Sequence, residues 1–155
     1  EQDDKKNAEK LLASIWKLNP IYEIGEFLEE LYPMESSGET YRRLKKIAQS
    51  APNFSESQHL LAGSAIAAEQ WPDARRALEA VINSDQASQK TYQTLALLER
   101  KQKNDQVASD KFLEQSEAAP IDNQWTCSAC QKPSTHYTPI CPKCGEFDKI
   151  SWFRR

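Results

Sequence analysis

Four cysteines fall in the last fifth of the chain and nowhere else. They read Cys127-Ser-Ala-Cys130, then ten residues, then Cys141-Pro-Lys-Cys144-Gly145. A CxxC pair turns tightly enough to point two thiolates at one ion, and two such turns complete a tetrahedron. The spacing therefore predicts a tetrathiolate metal site with Cys127, Cys130, Cys141 and Cys144 as ligands. Zinc takes such sites with sulfur at roughly 2.3 Å. Iron in a rubredoxin-like setting uses the same soft ligands and is the alternative. Protein atoms fill all four positions and leave none for a substrate, so the metal is expected to be structural. Gly145 permits the turn that brings backbone N–H groups toward sulfur. Gln131 holds the matching place after the first pair and makes that turn less ideal.

Other cysteine chemistry fits less well. Disulfides would suit a secreted chain, but the first 126 residues contain no cysteine and look like an ordinary globular core. A thioredoxin-type pair needs a βαβ context that the flanks do not offer. Haem attachment needs histidine directly after the second cysteine, where Gln131 and Gly145 stand.

The 155 residues accommodate one domain and a small module. The formal net charge of −3 is unevenly placed: residues 121–155 hold five basic and three acidic side chains, which leaves −5 for the remainder. Neither part carries the basic stripe of a nucleic-acid binder, so no nucleic acid is expected as a partner. No apolar run approaches a membrane span and no signal peptide is visible. The chain begins with Glu1 rather than Met, which reads as a processed or excised fragment.

Up to about residue 119, Ala, Leu, Glu, Gln and Lys dominate, a composition that favours helices. Apolar residues recur at helical spacing in Leu11-Leu12-Ile15-Trp16, Leu60-Leu61-Ala65, Ala74-Ala77-Leu78-Val81 and Leu95-Leu98. A shift of 34 residues superposes Leu61 on Leu95, Ala62 on Ala96, Ala74 on Ala108 and Leu78 on Phe112. The reverse shift places Phe27 on Leu61, Leu44 on Leu78 and Ile47 on Val81. That period is the one of the tetratricopeptide repeat, a helix-turn-helix unit whose small residues let paired helices cross closely. The bland alternative is an irregular helical bundle.

On this register residues 7–19 form a lone second helix. Residues 21–52 form a degenerate repeat with its turn at 33–38, and residues 54–84 and 88–119 form two better repeats. The face Leu11, Leu12, Ile15 and Trp16 is either core beneath the next helix or an apolar face left uncovered by a missing neighbour. The expected fold is all-α over 1–119, with a truncated first repeat. A small rubredoxin-like or zinc-ribbon module follows over 120–155, framed by two or three short strands. The metal supplies most of the folding energy of so small a module.

The motif Trp125-Thr-Cys127-Ser-Ala-Cys130, then Thr138-Pro139-Ile-Cys141-Pro-Lys-Cys144-Gly145-Glu-Phe147-Asp148 and Ser151-Trp152, resembles the HemY-type bacterial inner-membrane tetratricopeptide-repeat proteins and their relative, lipopolysaccharide assembly protein B. The phrase Trp71-Pro-Asp-Ala-Arg-Arg-Ala-Leu78-Glu is also similar to the HemY-type repeat. The resemblance implies an upstream membrane anchor absent from this chain and a place on the cytoplasmic face of the inner membrane. It also implies a role as protein adaptor, linked to haem biosynthesis or envelope assembly. Many HemY-type relatives lack the cysteines, so the metal site is a variant trait.

An enzyme is not expected. His59 and His136 sit in no catalytic motif, and Glu26, Glu29 and Glu30 read as a solvated helix face. His136 lies between the cysteine pairs and is a spare ligand at most. No phosphate loop or nucleophile elbow is present. The expected function is capture of a protein partner on the concave wall that first helices of such repeats line. Transferring the register puts Tyr22, Glu29, Glu56, His59, Ile66, Lys90, Gln93 and Arg100 there. The alternatives are a nucleic-acid-binding zinc ribbon on a helical scaffold and an iron-containing redox or metal sensor.

Overall fold

A computed structural model describes residues 2–153. Among them are seven helices: α1 (Gln2–Leu18), α2 (Tyr22–Glu30), α3 (Ser37–Ala48), α4 (Ser55–Ala67), α5 (Trp71–Asn83), α6 (Gln89–Lys103) and α7 (Gln106–Ala118). Two short strands follow, β1 (Gln124–Cys127) and β2 (Ile150–Phe153). The chain divides into two compact units, Glu1–Ala119 and Pro120–Arg155. Within the described residues no helix is long and apolar enough to cross a membrane.

Local chemistry explains where the helices of the first unit start and stop. The segment 33–38 is not wholly a turn, because Ser36 caps α3. Its hydroxyl accepts from Glu39 N–H, while Ser36 N–H donates to the Glu39 carboxylate at 2.9 Å. That reciprocal box draws Ser37 and Gly38 into the first helical turn. Glu69, at φ 57°, ends α4 with Gln70 N–H donating back to Ala65 at 2.8 Å. Pro72 then sits in the first turn of α5, where its missing N–H is harmless. Asn104 adopts φ 52° after α6, and Asp105 caps α7 by accepting from Ala108 N–H at 2.9 Å.

The helices recur at nearly constant spacing. Ser55 and Gln89 open α4 and α6, 34 positions apart, and Ser37 and Trp71 open α3 and α5 at the same interval. Adjacent helices pack on one another, α3 on α4, α4 on α5 and α6 on α7. Ala62, Ala74 and Ala96 are buried at these crossings, and Leu44, Leu78 and Leu98 are fully enclosed. Each enclosed leucine contributes about 2 kcal/mol of burial. One apolar cluster joins Tyr41, Ala62, Ala65, Ile66, Ala74, Ala77, Leu78, Leu95 and Leu98. A second joins Trp16, Ile24, Leu28, Leu44, Ile47, Ala51 and Leu60.

The face of α1 splits. Trp16 is core: its ring lies against Gly25, where a Cβ would meet ring carbon at 3.4 Å, and its Nε1 donates to Ser57 Oγ at 2.9 Å. Leu11 and Ile15 remain exposed. The core reading therefore applies to Trp16, with Leu12 half-buried beside it, while Leu11 and Ile15 lie roughly 100° or more around the helix from Trp16.

Charge reinforces the packing. Asp73 on α5 accepts from Tyr41 and Lys45 on α3 and from Arg76 one turn on. Lys45 first, then Tyr41, holds the Asp73 carboxyl well below its ordinary value. A carboxyl depressed on folding stabilises the native state above its unfolded pKa, near 4, and loses that contribution as pH falls through the folded value. Asp73→Asn is therefore expected to cost about 1–2 kcal/mol at pH 7. The gap to wild type should shrink steadily as pH falls below about 4. Urea titrations followed by helical circular dichroism at several pH values check this; a gap independent of pH would contradict it.

Candidate functional site

In the second unit β1 and β2 pair antiparallel, Trp125 opposite Trp152 and Cys127 opposite Ile150. Around them two knuckles repeat one another with a 14-residue offset, Cys127 to Cys141. Gln131 N–H donates to Cys127 C=O at 2.8 Å, and Gly145 N–H to Cys141 C=O at 2.9 Å. Cys127 N–H donates to Lys132 C=O at 3.0 Å, and Cys141 N–H to Glu146 C=O at 2.9 Å. The flanking bridges match as well, Thr126 with Pro133 and Ile140 with Phe147. So do Ser134 N–H on Trp125 C=O at 2.9 Å and Asp148 N–H on Pro139 C=O at 2.7 Å. Sequence reasoning missed this duplication, although the equal CxxC spacing was its visible trace.

The two knuckles bring four sulfurs together. All lie within 4.8 Å of one another, with Cys127 Sγ 3.7 Å from Cys144 Sγ and Cys130 Sγ 3.8 Å from Cys141 Sγ. A tetrahedron with metal–sulfur bonds of roughly 2.3 Å has sulfur–sulfur edges of roughly 3.8 Å. The donor set therefore fits one ion that accepts four thiolates. His136 is not among the converging groups; its Nδ1 lies 2.9 Å from Thr135 Oγ1.

Electrostatics point the same way. Backbone N–H groups of Lys143 and Cys144 face Cys141 and lower its pKa to about 7. The Glu146 amide pulls Cys144 down too, but desolvation and the other thiols outweigh it and push that thiol up to about 12. Four adjoining thiols resist ionising together, and a divalent cation removes that conflict. Cys127 and Cys141 are buried, whereas Cys144 is exposed. Trp125 packs at the base of the site, edge-on to Trp152 with ring centroids 5.5 Å apart and beside Tyr137 at 5.9 Å.

Gln131 closes its turn despite its side chain, at φ 60° against 77° for Gly145. A non-glycine residue in that conformation costs roughly 1 kcal/mol. Gln131→Gly is therefore expected to tighten metal retention about fivefold in a competition against a chelator. The side-chain bond it gives up, Gln131 Nε2 to Ser128 C=O, is exposed and adds little. Unchanged or weaker retention would show that the left-handed turn carries no strain.

The expected groove residues fall into three groups. Tyr22, His59 and Lys90 come together across α2, α4 and α6. Tyr22 Oη is 3.1 Å from His59 Nδ1, and Lys90 Nζ lies 4.0 Å from the Tyr22 ring centroid. His59 Nε2 meets Thr91 Oγ1 at 2.9 Å, and Thr91 Oγ1 also accepts from Ser88 N–H at 3.1 Å. His59 and Thr91 are both buried, so His59 is enclosed rather than open on the expected wall. Thr91 was not singled out from the sequence, because a lone threonine carries no motif; its role follows from the approach of α4 to α6.

Glu29 belongs beside this group. It is exposed on α2. Burial first, then Glu26 and Glu30, raises its carboxyl, and Lys90 opposes them. Gln93 and Arg100 are exposed on α6. Glu56 and Ile66 depart from the expectation. Ile66 is a member of the main apolar cluster, and Glu56 is 2 % exposed at the start of α4 with its carboxylate near Ser55 Oγ. The 34-residue register assigned them to the wall by position, while neighbouring helices close over both.

Fold and site together define a mostly helical chain ending in a four-cysteine knuckle pair. The probable magnetosome protein Mms48 of Magnetospirillum gryphiswaldense is similar to this chain, 26% identical over 151 residues. That match covers 97% of this chain and 33% of the relative, so the chain spans about a third of the length of the curated relative it matches. No protein-family model and no solved structure matches.

Proposed function

We propose that this chain is a non-enzymatic protein-interaction scaffold built from tetratricopeptide-type helical hairpins, with a rubredoxin-like knuckle module as a structural element. The observation that carries the reading is that half-buried Tyr22 of α2 and Lys90 of α6 meet, supported by buried His59 of α4 and Thr91 of α6. These three are alternate helices of a 34-residue register, the arrangement that lines a peptide-holding groove. Glu29 lies close to Lys90, and Arg100 follows further along α6, so a charged segment of a protein partner would meet one mixed-charge patch and one basic residue beyond it. The metal, zinc with iron as the alternative, would hold the two knuckles through Cys127, Cys130, Cys141 and Cys144.

The HemY-type resemblance supports a place for the whole protein on the cytoplasmic face of a bacterial inner membrane, through an anchor outside this chain. Haem biosynthesis or envelope assembly would then be its setting. The name of the similar protein adds a magnetosome-type assembly as another setting in which an adaptor would serve.

The test is partner capture by the membrane-anchored protein carrying Lys90→Glu with Arg100→Glu. Capture is expected to fall at least tenfold, while metal content and helicity hold. Glu56→Lys does not suit this purpose, because a buried unpaired charge would destabilise α4 by several kcal/mol. Undiminished capture by the double variant would overturn the groove reading.

A further inference from the structure

One face of the first unit is built as though something covers it. Leu11, Ile15 and Leu18 project from α1 at 62%, 41% and 81% exposure, and Phe27 from α2 at 60%. Ala8, Leu11 and Leu12 of α1, Phe27 and Glu30 of α2 and Leu31 just after it line a groove of about 440 Å³ between the two helices. The internal register shows how unusual this is. Shifts of 34 and 68 residues carry Ala8 to Arg42 and Arg76, Leu11 to Lys45 and Glu79, and Ile15 to Gln49 and Asn83. All six positions are polar, five of them exposed and Lys45 half-buried on its bond to Asp73, whereas α1 carries apolar side chains there. A contiguous apolar face of this kind marks an interaction surface.

Its rims carry opposite charge. At helical spacing Lys10 and Lys17 flank the Leu11–Ile15–Leu18 stripe of α1 on the side away from α2, and both are exposed. On α2, Glu26 lies beside Phe27 and Glu30 edges the groove itself, and both are exposed. We infer that this face pairs with the same face of a second copy of the chain. A two-fold axis across the groove would bring α1 and α2 of each copy into one four-helix arrangement. Leu11, Ile15, Leu18 and Phe27 would then fill its interior. Lys10 and Lys17 of one copy would meet Glu26 and Glu30 of the other, and the symmetry makes each contact twice. The charged rims set the direction of pairing, since the reverse alignment places like charges together.

Sedimentation equilibrium of the intact chain tests this. The chain is expected to be dimeric at about 100 µM, above the micromolar Kd of a modest interface. Leu11→Glu should leave a monomer with unchanged helicity. Lys10→Glu with Lys17→Glu should weaken the dimer roughly tenfold, since each exposed pair is small but four pairs change sign. Adding Glu26→Lys and Glu30→Lys to that variant should restore it. A wild-type monomer at that concentration overturns the proposal and assigns the face to another occupant. A dimer indifferent to Leu11→Glu overturns it as well, and failure of the charge reversal to restore pairing rules out the proposed alignment.

Discussion

Cys141→Ser is expected to empty the metal site and unfold the knuckle unit while the helical unit stays folded. Elemental analysis of the wild-type chain should give about one zinc or iron per chain, and of the variant essentially none. The size of the effect follows from the balance within residues 120–155. Its two strands are four residues each, and its buried apolar cluster is Cys127, Cys141 and Ile150 with Trp125 and Cys130 at the edge. So small a core cannot offset the ordering of its own backbone, whereas a tetrathiolate ion contributes on the order of 10 kcal/mol. Cys141 is buried and accepts two backbone N–H groups, so its loss removes a sulfur that the backbone already holds in place. The near-ultraviolet signal of the Trp125–Trp152 pair should collapse, and the far-ultraviolet helical signal should largely persist. An ordered 125–152 segment in metal-free protein would sink this account. Colourless protein identifies zinc, and a red product identifies iron.

The second large effect lies in the helical core. Leu78→Ala is expected to lower stability by about 3 kcal/mol, read as a shift of the urea midpoint with little change in slope. Leu78 is wholly buried in the cluster that also holds Ala74, Ala77, Leu95 and Leu98. Its neighbours include alanines that sit at helix crossings and cannot swing in to fill the space, so most of the cavity would persist. Leu97, on the outer side of α6 and 41% exposed, is the control, and Leu97→Ala should cost less than about 1 kcal/mol. Equal losses at the two positions would mean that α5 is not packed as described.

Much of this architecture could be read from residue order because the forces that set it are local. The convergence of four thiols was legible in two CxxC pairs, since three-residue spacing fixes how far apart two sulfurs can lie in a tight turn. The helices were legible in the recurrence of Leu61 and Leu95, and of Ala62 and Ala96. Their ends were less so: Ser36 and Glu39 form a capping box that carries α3 into the segment first read as a turn. The 14-residue likeness of the knuckles was hidden because it lives in backbone hydrogen bonds, which Gln131 and Gly145 make alike despite different side chains.

By itself, the order of residues determined that this chain is mostly helical and where four thiolates could meet one ion. Periodicity and turn geometry act over a few residues, and that is enough for both. Only the tertiary structure decided which side chains of a helix face are reachable. Ile66 and Glu56 are enclosed, Leu11 and Phe27 are open, and His59 finds Tyr22 and Thr91 from helices 37 and 32 residues away in sequence. Such outcomes depend on how closely each helix approaches the next, and no single helix encodes that distance.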